Sequence, residues 1–293
     1  MDGAIILLKP AGYTSFQTLY PIKKRFKGIK VGHTGTLDKF ATGVLVAVLG
    51  KFTRLADYIT DTEKEYTARF ILGKETDTLD PEGVISKSSE IPSLNRIKKA
   101  VLKLTGTIEQ VPPQYSAVHV NGVRAYKNAR SGNQSVIPAR PITIHSFNIL
   151  KWDPPALDVK IVCSKGTYIR SLARDLGNIS GSAAYVEQLS RTRVGNFYLQ
   201  EAVPPEECTN KTIMSPFEIL KRLKTINTVR VKPSYEEKII NGNVPYLNWF
   251  EDLSNNFPLN GLFGILDSKD RVLALAQNKN GKMSYKCVLG RSA

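Results

Sequence analysis

The residue best placed for chemistry is Asp38, in the run Val31-Gly32-His33-Thr34-Gly35-Thr36-Leu37-Asp38-Lys39-Phe40-Ala41-Thr42-Gly43. Three glycines and three threonines in this run predict a tight, irregular loop rather than a helix or strand. An acid in such a loop, on a backbone that can approach a ligand closely, sits where catalytic groups concentrate. A carboxylate there can act as a nucleophile. It is the only acid between Asp2 and Asp57, among Lys23, Lys24, Arg25, Lys27, Lys30 and Lys39. The plainer alternative is a turn aspartate, since Asp is a common turn residue.

Several elements must position this loop. The apolar run Val44 to Leu49 directly after it predicts a buried strand. Ala4 to Leu8 predicts another strand, ending in the turn Lys9-Pro10-Ala11-Gly12-Tyr13-Thr14-Ser15. Thr14 or Ser15 can cap a following helix whose buried face would be Phe16, Leu19 and Phe26, with a kink at Pro21. Glu65 to Leu72 alternates as a strand and carries Tyr66, an aromatic that fits a core as well as a site. Gly73 to Gly83 is an acidic loop containing Asp80, without the spacing of a calcium-binding loop.

Leu94 to Leu104 has helical periodicity. Asn121-Gly122 marks a hairpin, with basic and aromatic residues interleaved from Tyr115 to Arg140, a pattern suited to phosphates and stacked bases. Leu157 to Cys163 alternates as a strand, followed by the turn Ser164-Lys165-Gly166-Thr167-Tyr168 and a helix from Ile169 closed by Gly177. A strand–turn–helix junction brings backbone donors and a fixed side chain, here Arg170, to one point. Beyond the helical stretch Ser215 to Leu223, short strands separated by Gly, Asn and Asp turns predict a small β-rich unit.

The 293 residues carry 41 lysines and arginines against 26 acids, a net charge of +15. Such a balance points to a polyanionic partner, because phosphate contacts release counterions. Residues 1–224 hold 32 of those cations and 20 of the acids, so the charge lies mostly with the part that contains Asp38. Three widely spaced cysteines suggest no disulfide framework, and the three histidines pair with none of them at metal-ligand spacing. No phosphate-binding glycine motif is present, no apolar run approaches a membrane span, and the N-terminus lacks a signal-peptide pattern. These features predict a cytoplasmic protein without metal or organic cofactor.

Two of these stretches, with others between them, carry a resemblance. Gly32-His33-Thr34-Gly35-Thr36-Leu37-Asp38 with Ala41-Thr42-Gly43 is similar to the catalytic motif of the B-type tRNA pseudouridine synthases. Cys163-Ser164-Lys165-Gly166-Thr167-Tyr168-Ile169-Arg170-Ser171-Leu172-Ala173-Arg174-Asp175-Leu176-Gly177 resembles the second signature of that family. The lysine-proline turn at Lys9, the segment Lys64-Glu65-Tyr66 and the acidic loop resemble others, in the same order, over about residues 1–220. The resemblance implies an α+β fold: a mixed, largely antiparallel catalytic sheet over residues 1–224, a thumb hairpin at about 110–145, and a small β-rich, RNA-binding-like domain over 225–293.

It also implies the activity, isomerisation of uridine 55 in the T-loop of tRNA. The implied catalytic residues are Asp38 as nucleophile, Arg170 as its partner and Tyr66 stacked on the flipped base. His33, Tyr168, Leu189, Lys9 and Asp80 would meet the RNA. The partner is the T-arm stem-loop of tRNA, met by a stand-alone monomer. Lys39-Phe40 stands where the family usually has Pro-Leu, so the loop loses a rigid residue and gains a charge, which bears on its stiffness and on substrate affinity. Two other readings compete: an RNA chaperone without chemistry, and a synthase that depends on a guide RNA.

Overall fold

The computed structural model describes residues 1–116, 118–120, 122–133, 135–223, 225–251 and 260–290. The strands run, in chain order, β1 (Gly3–Lys9), β2 (Val31–Thr34), β3 (Thr42–Leu49), β4 (Lys64–Leu72), β5 (Lys74–Thr76) and β6 (Ile85–Ser88). They continue with β7 (Gly106–Gln110), β8 (His119–Val120), β9 (Val123–Arg124), β10 (Arg140–Asp153), β11 (Ala156–Cys163), β12 (Ala184–Val194) and β13 (Phe197–Tyr198). The last four are β14 (Asn227–Arg230), β15 (Gly261–Leu266), β16 (Val272–Lys279) and β17 (Lys282–Val288).

The large sheet has the order β1-β3-β12-β4-β11-β10-β7, with β2 on β3 and β13 on β12. Every pairing in it is antiparallel except β3 with β12. That exception positions the site. One edge of β3 pairs with β2 at Val46–Leu49 and with β12 at Thr42–Gly43, so its neighbour changes partway along. The chain leaves β2 and returns as β3 at that split, and Asp38 lies in the connection.

The sheet forms because its inward positions are apolar on alternate residues. Tyr66, Ala68, Phe70 and Leu72 of β4 and Leu157, Val159, Ile161 and Cys163 of β11 are all buried. Helices α1 (Tyr20–Arg25) and α2 (Ala56–Thr60) flank β2 and β3 in the chain. Helices α3 (Leu94–Leu104) and α5 (Ile169–Ile179) cover β4, β11 and β12, with α4 (Ala125–Arg130) beside the β8–β9 hairpin. Ile97, Ala100, Val101 and Leu104 form the buried stripe of α3, as the periodicity predicts. Asn121 of the predicted hairpin turn lies outside the described residues, and the pairing His119 with Arg124 and Val120 with Val123 stands on either side of it.

β14 to β17 form a separate four-stranded sheet in that order, the small β-rich unit expected near the C-terminus. It packs on the large sheet: Leu262, Leu266, Val272, Leu275 and Leu289 share one apolar cluster with Ala4, Ile6, Val44, Val46 and Phe52. Lys51 and Arg54 donate to the carbonyls of Leu289 and Lys286 across the same junction.

Four local expectations are corrected. Val31–Thr34 is a strand, because its backbone pairs with β3, and only residues 35–41 are irregular. Phe16 is 53% exposed; Leu19, Ile22 and Phe26 make the buried face instead. Pro21 kinks nothing, since it stands in the first turn of α1, where a missing N–H costs no hydrogen bond. Gly177 does not close its helix: α5 runs to Ile179. A Cβ at Gly177 would stand 2.8 Å from the Ala184 nitrogen, so glycine there lets the helix lie directly on β12.

Candidate active site

The loop from Gly35 to Ala41 has almost no regular structure, yet its backbone is fastened along its length. The fully buried guanidinium of Arg191 donates to the carbonyls of Gly35 (3.1 Å), Thr36 (3.4 Å) and Val44 (2.8 Å). The Ser15 hydroxyl accepts from the Leu37 N–H (2.9 Å) and donates to the Leu37 carbonyl (3.1 Å). Lys9 Nζ donates to the carbonyls of Pro10 (2.9 Å), Lys39 (3.2 Å) and Ala41 (2.6 Å), and the Gly12 N–H donates to Lys39 (2.8 Å). Backbone groups that lack a ladder partner must find another, and here buried cations and a hydroxyl supply it.

The close approach of β3 to β12 needs Gly43: it has φ +111°, and a Cβ there would meet the Arg191 carbonyl oxygen at 2.3 Å. The substituted pair Lys39-Phe40 fits this frame. The Lys39 side chain pairs with Glu82 at the surface (3.2 Å), and Phe40 packs against the core cluster beneath the loop.

With its backbone held, the loop offers the Asp38 carboxylate, 35% exposed, to a cavity of about 720 Å³. Arg170, in the first turn of α5 and 5% exposed, grips that carboxylate at both oxygens: Nε to Oδ2 at 3.0 Å and Nη2 to Oδ1 at 3.1 Å. Its other N–H groups reach the Thr78 carbonyl (2.9 Å), Asp80 Oδ2 (3.1 Å) and the Tyr115 carbonyl (2.9 Å). All five donors of the fork are therefore engaged, and the guanidinium cannot swing away from Asp38.

Asp80 is turned inward to this arginine. Its Oδ1 accepts from the Thr78 hydroxyl (2.6 Å) and the Glu82 N–H (3.1 Å). Burial pushes its pKa above the usual carboxylate value, opposed by the Thr78 hydroxyl, Arg170 and the Glu82 N–H.

Tyr66 lines the same cavity from β4, directly across the ladder from Arg191. Burial pushes its phenol up to about 12, with the Arg191 charge and a hydrogen bond to it acting in the opposite sense. The ring is a neutral, flat wall beside Asp38. Tyr168 and Leu189 complete the lining. Tyr168 is held from both sides: Gln110, fully buried, donates to its carbonyl (3.1 Å) and accepts from its N–H (2.8 Å), and the Arg140 guanidinium lies 5.0 Å from its ring.

The structure thus gathers six of the expected site residues around one cavity: Asp38, Arg170, Tyr66, Asp80, Tyr168 and Leu189. Lys9 and His33 do not line it. Lys9 is fully buried with its donors on carbonyls, so it holds the loop rather than a ligand; burial lowers its pKa to about 8, with Asp38 opposing. His33 sits in β2 opposite Ala47. Burial lowers its pKa, followed by the charges of Arg191 and Lys23, and leaves a neutral imidazole whose buried Nδ1 has no partner.

Arg191, Ser15 and Gln110 were not marked by sequence reasoning. Arg191 had one usable signal, since it follows Leu189 by two residues on the inward face of a strand, where a cation needs a reason. Gln110 read as the start of a hairpin and Ser15 as a helix cap, and neither carried any sign of its distant partner.

The chain is similar to several known proteins. The family model described as "TruB family pseudouridylate synthase (N terminal domain)" matches residues 23–169. A "tRNA pseudouridine synthase B" from Borreliella burgdorferi (strain ZS7) is 41% identical over 292 residues, 98% of this chain and 99% of its own. One from Thermobifida fusca (strain YX) is 36% identical over 291 residues, 96% of each. Among solved structures, the one titled "Crystal Structure of a Cbf5-Nop10-Gar1 Complex" has a similar fold, with a TM-score of 0.70 at 24% identity over 94% of this chain and 78% of that chain.

Proposed function

The chain belongs to the TruB family of pseudouridylate synthases and is an isomerase that forms pseudouridine in tRNA; from that premise we propose that its target is uridine 55 of the T-loop and that Asp38 is the nucleophile. The observation that carries this reading is the Asp38 carboxylate, held at both oxygens by a saturated Arg170 and open to a cavity on its other side.

The reaction breaks the bond from C1′ to N1 of the base, turns the base, and forms a bond from C1′ to C5. The proton on C5 is lost and N1 takes one up, so nothing is oxidised or reduced and no energy source is needed. A carboxylate assists by adding either to C1′ or to the pyrimidine ring, and each route returns it unchanged at the end.

A base inside a folded RNA loop must leave its stack to reach such a cavity. Tyr66 then offers it a flat neutral face, and Tyr168 and Leu189 enclose it. Asp80 acts through Arg170, which it fixes from the side opposite Asp38. Arg140 and Lys165, on the cavity wall, give the RNA backbone cations to meet.

On this reading residues 1–224 are the catalytic domain, with the thumb at about 110–145 closing on the T-arm, and 225–293 are a small RNA-binding domain. The protein works in the cytoplasm as a monomer, without guide RNA, metal or organic cofactor. The test is incubation of purified protein with an unmodified tRNA transcript in the presence of a chelator, followed by position-by-position mapping of pseudouridine. The expected result is a single modified position, 55, absent from a transcript with cytidine there. Product elsewhere, or none without added RNA or metal, would refute the assignment.

A further inference from the structure

The outer surface of the first helical segment is unusual for a surface. Tyr13, Phe16 and Tyr20 are each 53% exposed, although the neighbouring Leu19, Ile22 and Phe26 are buried normally. Isolated exposed aromatics are common, but Phe16 and Tyr20 in contact, with Tyr13 three residues before Phe16 in the preceding turn, call for an explanation. Phe16 and Tyr20 meet edge to face with centroids 5.5 Å apart, and Lys23 Nζ lies 4.0 Å from the Phe16 ring centre. Phe16, Tyr20 and Lys23 follow at intervals of four and three residues, so they form one stripe, and exposed Lys24 and Lys27 extend its charge.

The patch adjoins the catalytic cavity through the chain. Tyr13 and Phe16 bracket Thr14 and Ser15 in the chain, and those two residues line the cavity rim. In the chain no acid lies between Asp2 and Asp38; the fold brings Glu206 and Glu207 to the Arg25 end of α1, but among the described residues no acid forms an ion pair with Lys23, Lys24 or Lys27. Flat rings beside unpaired ammonium groups match a partner with flat faces and a phosphate backbone, a combination found in unpaired nucleotides. A protein partner would not require this excess of one charge.

We infer that Tyr13, Phe16 and Tyr20, with Lys23, Lys24 and Lys27, form a second RNA-binding surface, on which unpaired nucleotides of the substrate outside the catalytic cavity stack. The inference rests on tRNA being the substrate, but on neither uridine 55 nor Asp38 as nucleophile. The rings take the base faces, and the lysines take the phosphates on either side. The surface lets the enzyme hold loop nucleotides displaced from their stack while the target base is in the cavity.

The test separates binding from chemistry. The dissociation constant for unmodified tRNA is measured by filter binding in the Asp38→Asn background, and the single-turnover rate at saturating protein in the wild-type background. Phe16→Ala with Tyr20→Ala is expected to weaken binding roughly tenfold or more, as the loss of base–aromatic stacking does, and to leave the saturating rate unchanged. Phe16→Leu with Tyr20→Leu should bind as poorly as the alanine pair, while Phe16→Tyr with Tyr20→Phe should bind as the parent does. Lys23→Gln should lower the salt dependence of binding by about one phosphate contact.

Unchanged affinity in the alanine pair overturns the inference and leaves the patch to a protein partner. Full affinity in the leucine pair also overturns it, since bulk rather than a ring face would then be what matters. A lower saturating rate at unchanged affinity overturns it too, by making the patch a support for the catalytic loop. Because affinity is read without product, none of these outcomes depends on which uridine is modified.

Discussion

The loop that carries Asp38 and the C-terminal sheet are built on opposite principles. Around the loop, four of the buried groups are charged: Lys9, Asp80, Arg170 and Arg191 all lie below one-tenth exposure, and each is committed to backbone carbonyls or to another of the set. Within the C-terminal sheet the core is apolar, made of Val229, Phe250, Phe263, Ile265 and Leu273. Its buried Asp267 is answered locally, by Arg271 and two backbone N–H groups in one turn. An apolar core is forgiving about geometry, whereas a buried fork fixes a side chain in one place. Among the described residues, several buried charges share one network around the Asp38 carboxylate.

The sharpest way to break this contrast is at Asp38. Asp38→Asn keeps the shape of the loop and is expected to lower single-turnover pseudouridine formation by roughly three orders of magnitude or more, because on the proposed mechanism it removes the reacting group itself. Arg170→Met comes next, since it strands the buried Asp80 carboxylate and releases the grip on the part-exposed Asp38; removing one partner of a buried ion pair costs about 3–5 kcal/mol. Urea titration should show that loss, and Arg170→Lys should recover part of the stability but little of the turnover, lacking the two-pronged grip.

Phe263→Ala probes the other region. A core truncation of that kind costs about 3–5 kcal/mol, comparable to Arg170→Met, yet it should leave the saturating turnover rate of the folded protein unchanged. Equal damage to turnover from both would erase the distinction between the regions.

The smallest effect concerns pH. Lys9 has a folded pKa lowered by burial to about 8, below its unfolded value near 10.4. The unfolded chain therefore binds more protons between those values, and this residue's contribution to stability rises with pH across that window and is flat below it. Lys9→Met should lack that rise when unfolding is followed from pH 7 to 10.

The contrast also explains what could be read from the sequence. The strands and α3 were legible because their signal is local: alternation in Glu65 to Leu72, a helical stripe in Leu94 to Leu104. Asp38, Tyr66 and Arg170 stood out because each sits in a distinctive local run. Arg191 and Gln110 did not, since each acts on a segment 58 or more residues away, Gln110 on Tyr168 and Arg191 on Gly35. Only the parallel pairing of β3 with β12 creates the second of those contacts. Phe16 was misplaced for a related reason, as periodicity marks a helix's apolar positions without telling which of them the rest of the chain covers.

The central claim is that the Asp38 carboxylate performs the chemistry, aimed by Arg170. It is tested most directly by one experiment with two readouts, tRNA binding and single-turnover formation of pseudouridine, on wild type and Asp38→Asn. The account predicts binding within a few-fold of wild type and no measurable product from the variant. Product formed by Asp38→Asn at a rate near that of wild type would contradict it and return Asp38 to the role of a turn residue.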